Sequence, residues 1–327
     1  MDMKKYITLA AVILLCACDD TIGEGFDVRS LETIHLTATV GAGNATTRAS
    51  AAANLQNTQF VSGKTIFVEA YETGQNAAYT SGIYTTGEAG VLTGSLRYPA
   101  NNGAVDLCAY YPSSITSAST TFAVSSDQRT EANYQASDLM YATKLSNKSS
   151  GTAHNLTFNH ALTKIVVNIE AGDGITNSNI TTSPGVTAVK INNTLLGATL
   201  SISAGVITAS RVATGSATDI NITGTGLSNV GVIVPQTVAA DSTFITVVYN
   251  GQTYTYHLPA AKTFLSGKVY TYTLTLQKET LELRLSEEVA DWDDEVIVDV
   301  NMIKPGFGFD VTGYNSETVV DVDLTTP

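Results

Sequence analysis

Ile34-His35-Leu36-Thr37-Ala38-Thr39-Val40 decides how this chain is read. Apolar residues at 34, 36, 38 and 40 alternate with polar ones at 35, 37 and 39. Successive side chains of a strand point to opposite faces, so this is a strand with one face in a core. The stretch that follows, from Gly41 to Asn54, holds Gly, Ala, Asn, Thr and Ser around Arg48. Nothing in it can fill a core, so it is a loop or linker. The chain thus opens with a core-type strand joined to the rest by an accessible connection.

Outward from there the chain keeps reading as strands: Thr65 to Ala70, Ala104 to Tyr110, Asn155 to Phe158 and Thr163 to Glu170. Past Ala171-Gly172-Asp173-Gly174 they shorten and recur at Val186 to Ile191, Ala198 to Ile202, Val230 to Val234, Phe244 to Tyr249, Thr253 to Leu258 and Lys268 to Leu276. Asn250-Gly251 is a hairpin signal. Helical periodicity is confined to short turns, with Glu131 to Met140 as the candidate. Many short strands separated by turn residues indicate β-sandwiches. The 327 residues suggest about two domains, and the Gly172 region is the expected boundary.

Composition narrows the function classes. There are 17 Lys+Arg against 30 Asp+Glu, a net charge of -13, which argues against a nucleic-acid partner. With 43% hydrophobic residues the chain can fill real cores. The N-terminus reads as an export signal: Lys4-Lys5, then an apolar run to Ala17 that is short for a membrane span. It closes on Leu15-Cys16-Ala17-Cys18, a bacterial lipobox pattern in which the Cys18 thiol takes a lipid and its freed amine is acylated. Buried acyl chains then hold the protein on a membrane. Cys16 leaves with the signal and Cys18 is acylated, so Cys108 stands alone, an inert buried thiol on a strand.

No P-loop, no strand-linked GxGxxG and no HExxH is present. His35, His154, His160 and His257 are scattered without carboxylates at ligand spacing, and His160 is expected to be structural. No enzyme activity, cofactor or metal is expected. The tail offers two more alternating pieces. Val296, Val298, Val300 and Met302 alternate with Ile297, Asp299 and Asn301, and Val320, Val322 and Leu324 alternate with Asp321 and Asp323.

Taken in order, these motifs resemble the fimbrillin family, the subunits of type V pili. The likeness runs from the lipobox and first strand through Thr47-Arg48-Ala49, Phe60-Val61-Ser62-Gly63-Lys64 and Tyr98-Pro99. It continues with Ala109-Tyr110-Tyr111-Pro112, Asp127-Gln128, Ser137-Asp138-Leu139-Met140-Tyr141-Ala142 and Phe158-Asn159-His160-Ala161-Leu162-Thr163-Lys164-Ile165. It ends with Phe264-Leu265-Ser266-Gly267-Lys268-Val269-Tyr270-Thr271-Tyr272 and Asp291-Trp292.

The resemblance implies an all-β fold of two transthyretin-like β-sandwich domains in tandem. Residues 1–17 would be the signal peptide and 18–48 a propeptide carrying the lipidated Cys18 and the removable strand of Ile34, Leu36, Ala38 and Val40. The domains would span 49–171, completed by the first strand from 33–40, and 172–327. An Arg-specific protease would cut between Arg48 and Ala49. The vacated slot would accept a strand from another copy or a related subunit, head to tail, with the 295–327 tail as donor. The implied partners are pilus subunits, the outer membrane through lipid before maturation, the protease, and a host receptor or glycan. The competing expectation is a monomeric surface lipoprotein that binds glycans or host proteins, with Tyr79, Tyr84, Tyr98, Tyr110 and Tyr111 as stacking surfaces, or an anchor or tip subunit of the pilus.

Overall fold

A computed structural model describes residues 31–41, 60–203, 206–224, 226–276, 283–291 and 299–302. The strands of the first half are β1 (Leu36–Val40), β2 (Thr65–Glu72), β3 (Ala78–Thr86), β4 (Val91–Thr93), β5 (Val105–Tyr111), β6 (Thr121–Ala123), β7 (Asp127–Gln128), β8 (Met140–Ala142), β9 (Leu145–Lys148) and β10 (His154–His160). Then come β11 (Thr163–Ala171), β12 (Val186–Thr194), β13 (Gly197–Ser203), β14 (Val206–Thr214), β15 (Thr218–Gly224) and β16 (Ser228–Ile233). The last are β17 (Gln236–Val238), β18 (Thr243–Tyr249), β19 (Gln252–His257), β20 (Lys262–Phe264), β21 (Lys268–Leu276), β22 (Leu283–Asp291) and β23 (Asp299–Met302). Among the described residues two short α-helices interrupt them, α1 (Glu131–Ala136) and α2 (Asn177–Thr181), each N-capped by a Thr hydroxyl, Thr130 and Thr176.

The first sheet runs β2-β3-β4-β1-β10-β8-β5, and β5 pairs back onto β2, closing a ring of seven strands. The sequence reading expected a sandwich here; the β2–β5 ladder joins the edges instead. Such a ring cannot be antiparallel at every contact, because alternation fails when the number of strands is odd. The one parallel contact falls between β1 and β10, while every other contact in the ring is antiparallel. With either β1 or β10 set aside, the other six strands alternate without a break.

The second sheet runs β19-β18-β12-β15-β16-β11-β21-β22-β23, with β7 added on β15. β11 pairs parallel with β21 and antiparallel with β16. The sequence reading grouped Thr163 to Glu170 with the first half; its hydrogen bonds put this strand in the second sheet, because the chain crosses over at Ala161-Leu162, directly after β10. The β18–β19 hairpin turns at Asn250 and Gly251, both at positive φ (48° and 73°), as that dipeptide demands.

Two cores follow from this topology. The ring encloses Ile34, Leu36, Val40, Ile66, Val68, Leu107, Leu156 and Phe158 among others. The larger core lies on the second sheet and includes Tyr71, Cys108 and Tyr110 from the outer face of β2 and β5. β5 is therefore buried on both faces over its whole length, which is why Val105 to Tyr111 lacks a clean alternation. The excursion between β5 and β8 ties the two cores: β6 pairs with β13 and β7 with β15. Gln128, fully buried, also exchanges both amide bonds with Val232, each 2.8 Å long.

Candidate functional site: the slot of the first strand

β1 lies between β10, in register from Leu36↔His154 to Val40↔Phe158, and β4, in register at Leu36↔Leu92 and Thr37↔Val91. The ladder extends beyond both of its ends. Ile34 N–H donates to Leu96 O at 2.8 Å, Tyr98 N–H donates to Glu32 O at 2.9 Å, and Gly41 N–H donates to Phe158 O at 2.7 Å. The Arg97 guanidinium donates to Leu31 O, and Gly151 N–H donates to the Glu32 carboxylate at 2.8 Å. The slot thus holds extended chain up to Val40, with contacts running from Leu31 to Gly41.

The inward face matches the alternation of the sequence. Ile34, Leu36, Ala38 and Val40 are all 2% exposed or less. Burial of each large side chain contributes about 1.5–3 kcal/mol, as an upper estimate. The outward face is polar: Thr37 donates to Asn155 Oδ1 at 3.1 Å, and Asn155 Nδ2 donates to Thr39 Oγ1 at 3.0 Å. Sequence reasoning missed the residues that shape the walls. Tyr84 donates its hydroxyl to Ile34 O at 2.9 Å. Burial pushes this phenol up to about 12, so it stays a neutral donor. Gly94 gives the Tyr84 ring its place; a Cβ there would lie 2.4 Å from a ring carbon. Gly90, at φ 75°, brings backbone against β1, where a Cβ would meet Ala38 O at 2.4 Å. No local motif marks these contacts, since each joins residues far apart in the chain. Phe60, the first described residue after the linker, packs edge-on against Phe158 and Tyr111 at 4.8 and 5.4 Å between ring centroids.

Cys18, Arg48 and Ala49 lie outside the described residues, as do Val296, Val298, Val320, Val322 and Leu324. Val300 and Met302 lie on β23, whose backbone pairs with β22 of the same chain, Leu283↔Met302 to Ser286↔Asp299. That part of the tail is an edge of the second sheet.

The tyrosines do not form a stacking surface. Tyr84, Tyr98, Tyr110 and Tyr111 are buried, and Tyr79 alone of the five is open, at 36% exposure. Tyr79 borders an open cavity of about 450 Å3 at the mouth of the slot, which Leu31, Glu72 and Arg97 also line. Its hydroxyl is engaged by Arg97 O at 2.8 Å.

His160 has a partner that spacing did not reveal. Its Nδ1 lies 3.0 Å from Asp138 Oδ1, with both side chains buried. The motifs Ser137-Asp138-Leu139 and Asn159-His160-Ala161 therefore meet where the chain passes from β10 to β11. Lys164 lies nearby; burial pulls its ammonium down, and the Asp138 carboxylate opposes this. His154 bonds Tyr98 Oη at 2.9 Å and Ser149 O at 3.0 Å, while His35 and His257 are exposed. Among the described residues no group of His, Cys, Asp and Glu could hold a metal ion.

A second buried polar network braces β2 against β5. The Glu69 carboxylate accepts from Tyr71 (2.7 Å), Tyr110 (3.3 Å), Ser117 Oγ (2.6 Å) and Ser117 N–H (3.1 Å). Burial pushes the Cys108 thiol up to about 12, which keeps it protonated and unreactive. Asp106 holds Lys144 at 3.0 Å. These arrangements are structural: side chains consumed by one another around a strand-lined core.

Comparison with known proteins agrees with that character. The fimbrillin-like family description matches residues 45–292. A Bacteroides uniformis protein named "Putative fimbrium subunit Fim1C" is 28% identical over 230 residues, covering 68% of this chain and 71% of that protein. A crystal structure of a cell adhesion protein, so described with the qualifier "putative", from Bacteroides uniformis superposes with a TM-score of 0.59 at 24% identity, over 80% of this chain and 98% of that one. A similarly described Bacteroides ovatus structure gives 0.55 at 17% identity, over 84% and 98%. At such identities the two structures speak to the fold alone. The family match covers well over half of the sequence, so this protein belongs to the fimbrillin-like family.

Proposed function

We propose that the protein is a structural subunit of a cell-surface fimbrium, made as a lipoprotein on Cys18 and matured by an Arg-specific cut between Arg48 and Ala49. Maturation releases β1, and a strand of a neighbouring subunit takes its place. Such a contact is head to tail and propagates a filament that supports adhesion. On this reading the ring and the second sheet are tandem units of transthyretin-like type, dividing at Ala161-Leu162 rather than Gly172.

The observation that carries the proposal is the position of β1. It sits at the one parallel contact of an otherwise alternating ring, its inward side chains are buried, and the chain leaves it through a small-residue stretch containing Arg48. Loss of β1 leaves unpaired backbone on β4 and β10 and a row of empty apolar places, which another strand of the same period can satisfy. The pairing of residues 299–302 with β22 favours Val320, Val322 and Leu324 as the donor segment of the tail. The outer membrane, the protease and neighbouring subunits are then the partners, and a shaft, anchor or tip place depends on whether β1 is released.

N-terminal sequencing of protein sheared from cells tests this. A start at Ala49 in filaments, with Arg48→Ala protein remaining full length and lipidated, is the expected result. Normal polymerisation of Arg48→Ala protein, or filaments that retain acylated Cys18, would sink the scheme.

A further inference from the structure

The inward places of β1 are unequal. Ile34, Leu36 and Val40 are large, while Ala38 between them is only 1% exposed. In a close-packed interior a buried alanine means that the facing walls already occupy the room a larger side chain needs. The backbone of β1 is closely flanked at this residue as well, since a Cβ on Gly90 would lie 2.4 Å from Ala38 O.

We infer that the slot selects its occupant by size, and that its partner is a period-two strand of a different chain carrying Gly, Ala or Ser at the place of Ala38. This rests on the proposed strand replacement. The chain's own tail does not fit. In Val296, Val298, Val300 and Met302, and equally in Val320, Val322 and Leu324, each register that fills the slot with these residues sets a Val or larger against the Ala38 place. The same holds for either strand direction. Direction matters because a reversed strand would only move the parallel contact of the ring from β10 to β4. Overpacking of this kind weakens binding by about tenfold to a hundredfold. Self-assembly through the tail is therefore disfavoured, and the subunit pairs with an unlike neighbour.

The test uses the full chain, nicked at Arg48 under native conditions, and labelled peptides. The peptides are residues 31–41, the same with Ala38→Leu, and residues 294–304 and 316–326, each also with Val300→Ala or Val322→Ala. The native peptide is expected to enter, with the Ala38→Leu and both tail peptides at least about tenfold weaker. The alanine-bearing tail peptides should recover much of the difference. Binding of the Ala38→Leu peptide, or of either unmodified tail peptide, within about threefold of the native one overturns size selection. If no peptide enters, strand replacement itself has failed. Ala38→Leu in the uncut chain then reads the pocket alone: a melting temperature several degrees lower is expected, and an unchanged one overturns the inference.

Discussion

β1 in the ring and β11 in the second sheet each lie between one parallel and one antiparallel neighbour, and each turns alternate side chains into a core. By burial alone they are equivalent. Their covalent settings differ. β11 follows β10 after Ala161-Leu162, and both of those residues are fastened: Ala161 N–H donates to Leu139 O at 2.8 Å, and Gly267 N–H donates to Leu162 O at 2.7 Å. β1 reaches its parallel neighbour only through more than half of the first unit and has a linker of small residues behind it. Burial measures how much a strand stabilises the fold; chain position decides whether it can leave without taking the fold with it.

The largest effect is expected where β10 hands over to β11. Asp138→Ala leaves the buried His160 Nδ1 without its partner and the Lys164 ammonium without its nearby carboxylate, and should cost about 3–5 kcal/mol, seen as a lower denaturant midpoint for the whole molecule. A loss confined to the ring would show that the pair does not join the two units. Next, Leu36→Ala and Ile165→Ala should each cost about 2–5 kcal/mol in the uncut chain. Nicking at Arg48 separates them. The Leu36→Ala penalty then becomes a binding penalty, so ring stability depends on protein concentration. The Ile165→Ala penalty does not change with concentration. Identical behaviour of the two after nicking would erase the distinction between the strands.

How much of this was legible follows from the range of each interaction. The alternation of Ile34 to Val40 and of Thr163 to Glu170 reports local geometry, and both segments form strands with those faces inward. Which sheet receives a strand depends on partners a hundred residues away, so nothing around Thr163 points to Tyr270 or Gly231. β3 carries Ser81 and Gly82 in its middle, and β22 carries Glu287 and Glu288, which masked both strands. Closure of the ring was invisible for the same reason: Val105 to Tyr111 serves two cores, and a segment apolar on both faces does not tell which neighbours flank it. In the slot, the inward row of β1 could be read, whereas Tyr84, Gly90 and Asn155 are wall residues that only the fold brings there.

A smaller effect tests the junction of the ring with the second core. Burial pushes the Asp106 carboxyl up, but the Asn147 amide and the Lys144 ammonium outweigh it and leave the group below its ordinary value. A depressed carboxyl stabilises the fold above its unfolded value, and that contribution disappears as pH falls through the folded one. Wild-type stability should therefore decline on acidification below the usual carboxylate range. Asp106→Asn should cost about 1.5–3 kcal/mol at neutral pH and show a flatter acid limb in urea titrations. An unchanged slope would remove Asp106 from the pH response. Since β5 belongs to both cores, the loss should affect both units, unlike a lesion in β1.

The smallest effect separates the two strands by the amides beside them. Asn155 bridges Thr37 and Thr39 on the exposed side of β1, while Asn229, buried on β16, donates to Val167 O of β11 at 3.2 Å. Asn229→Ala removes a buried donor and should cost about 1–3 kcal/mol, whereas Asn155→Ala should cost only about 0.5–1 kcal/mol, water replacing the lost bonds. The informative readout for Asn155→Ala is kinetic. If its side chain clips the outer face of a strand that leaves, dissociation of residues 31–41 from the nicked protein should speed up by about threefold, with little change in melting temperature. An unaltered release rate would mean that β1 is held by its inward row and ladder alone, and that the polar face of the slot does not retain it.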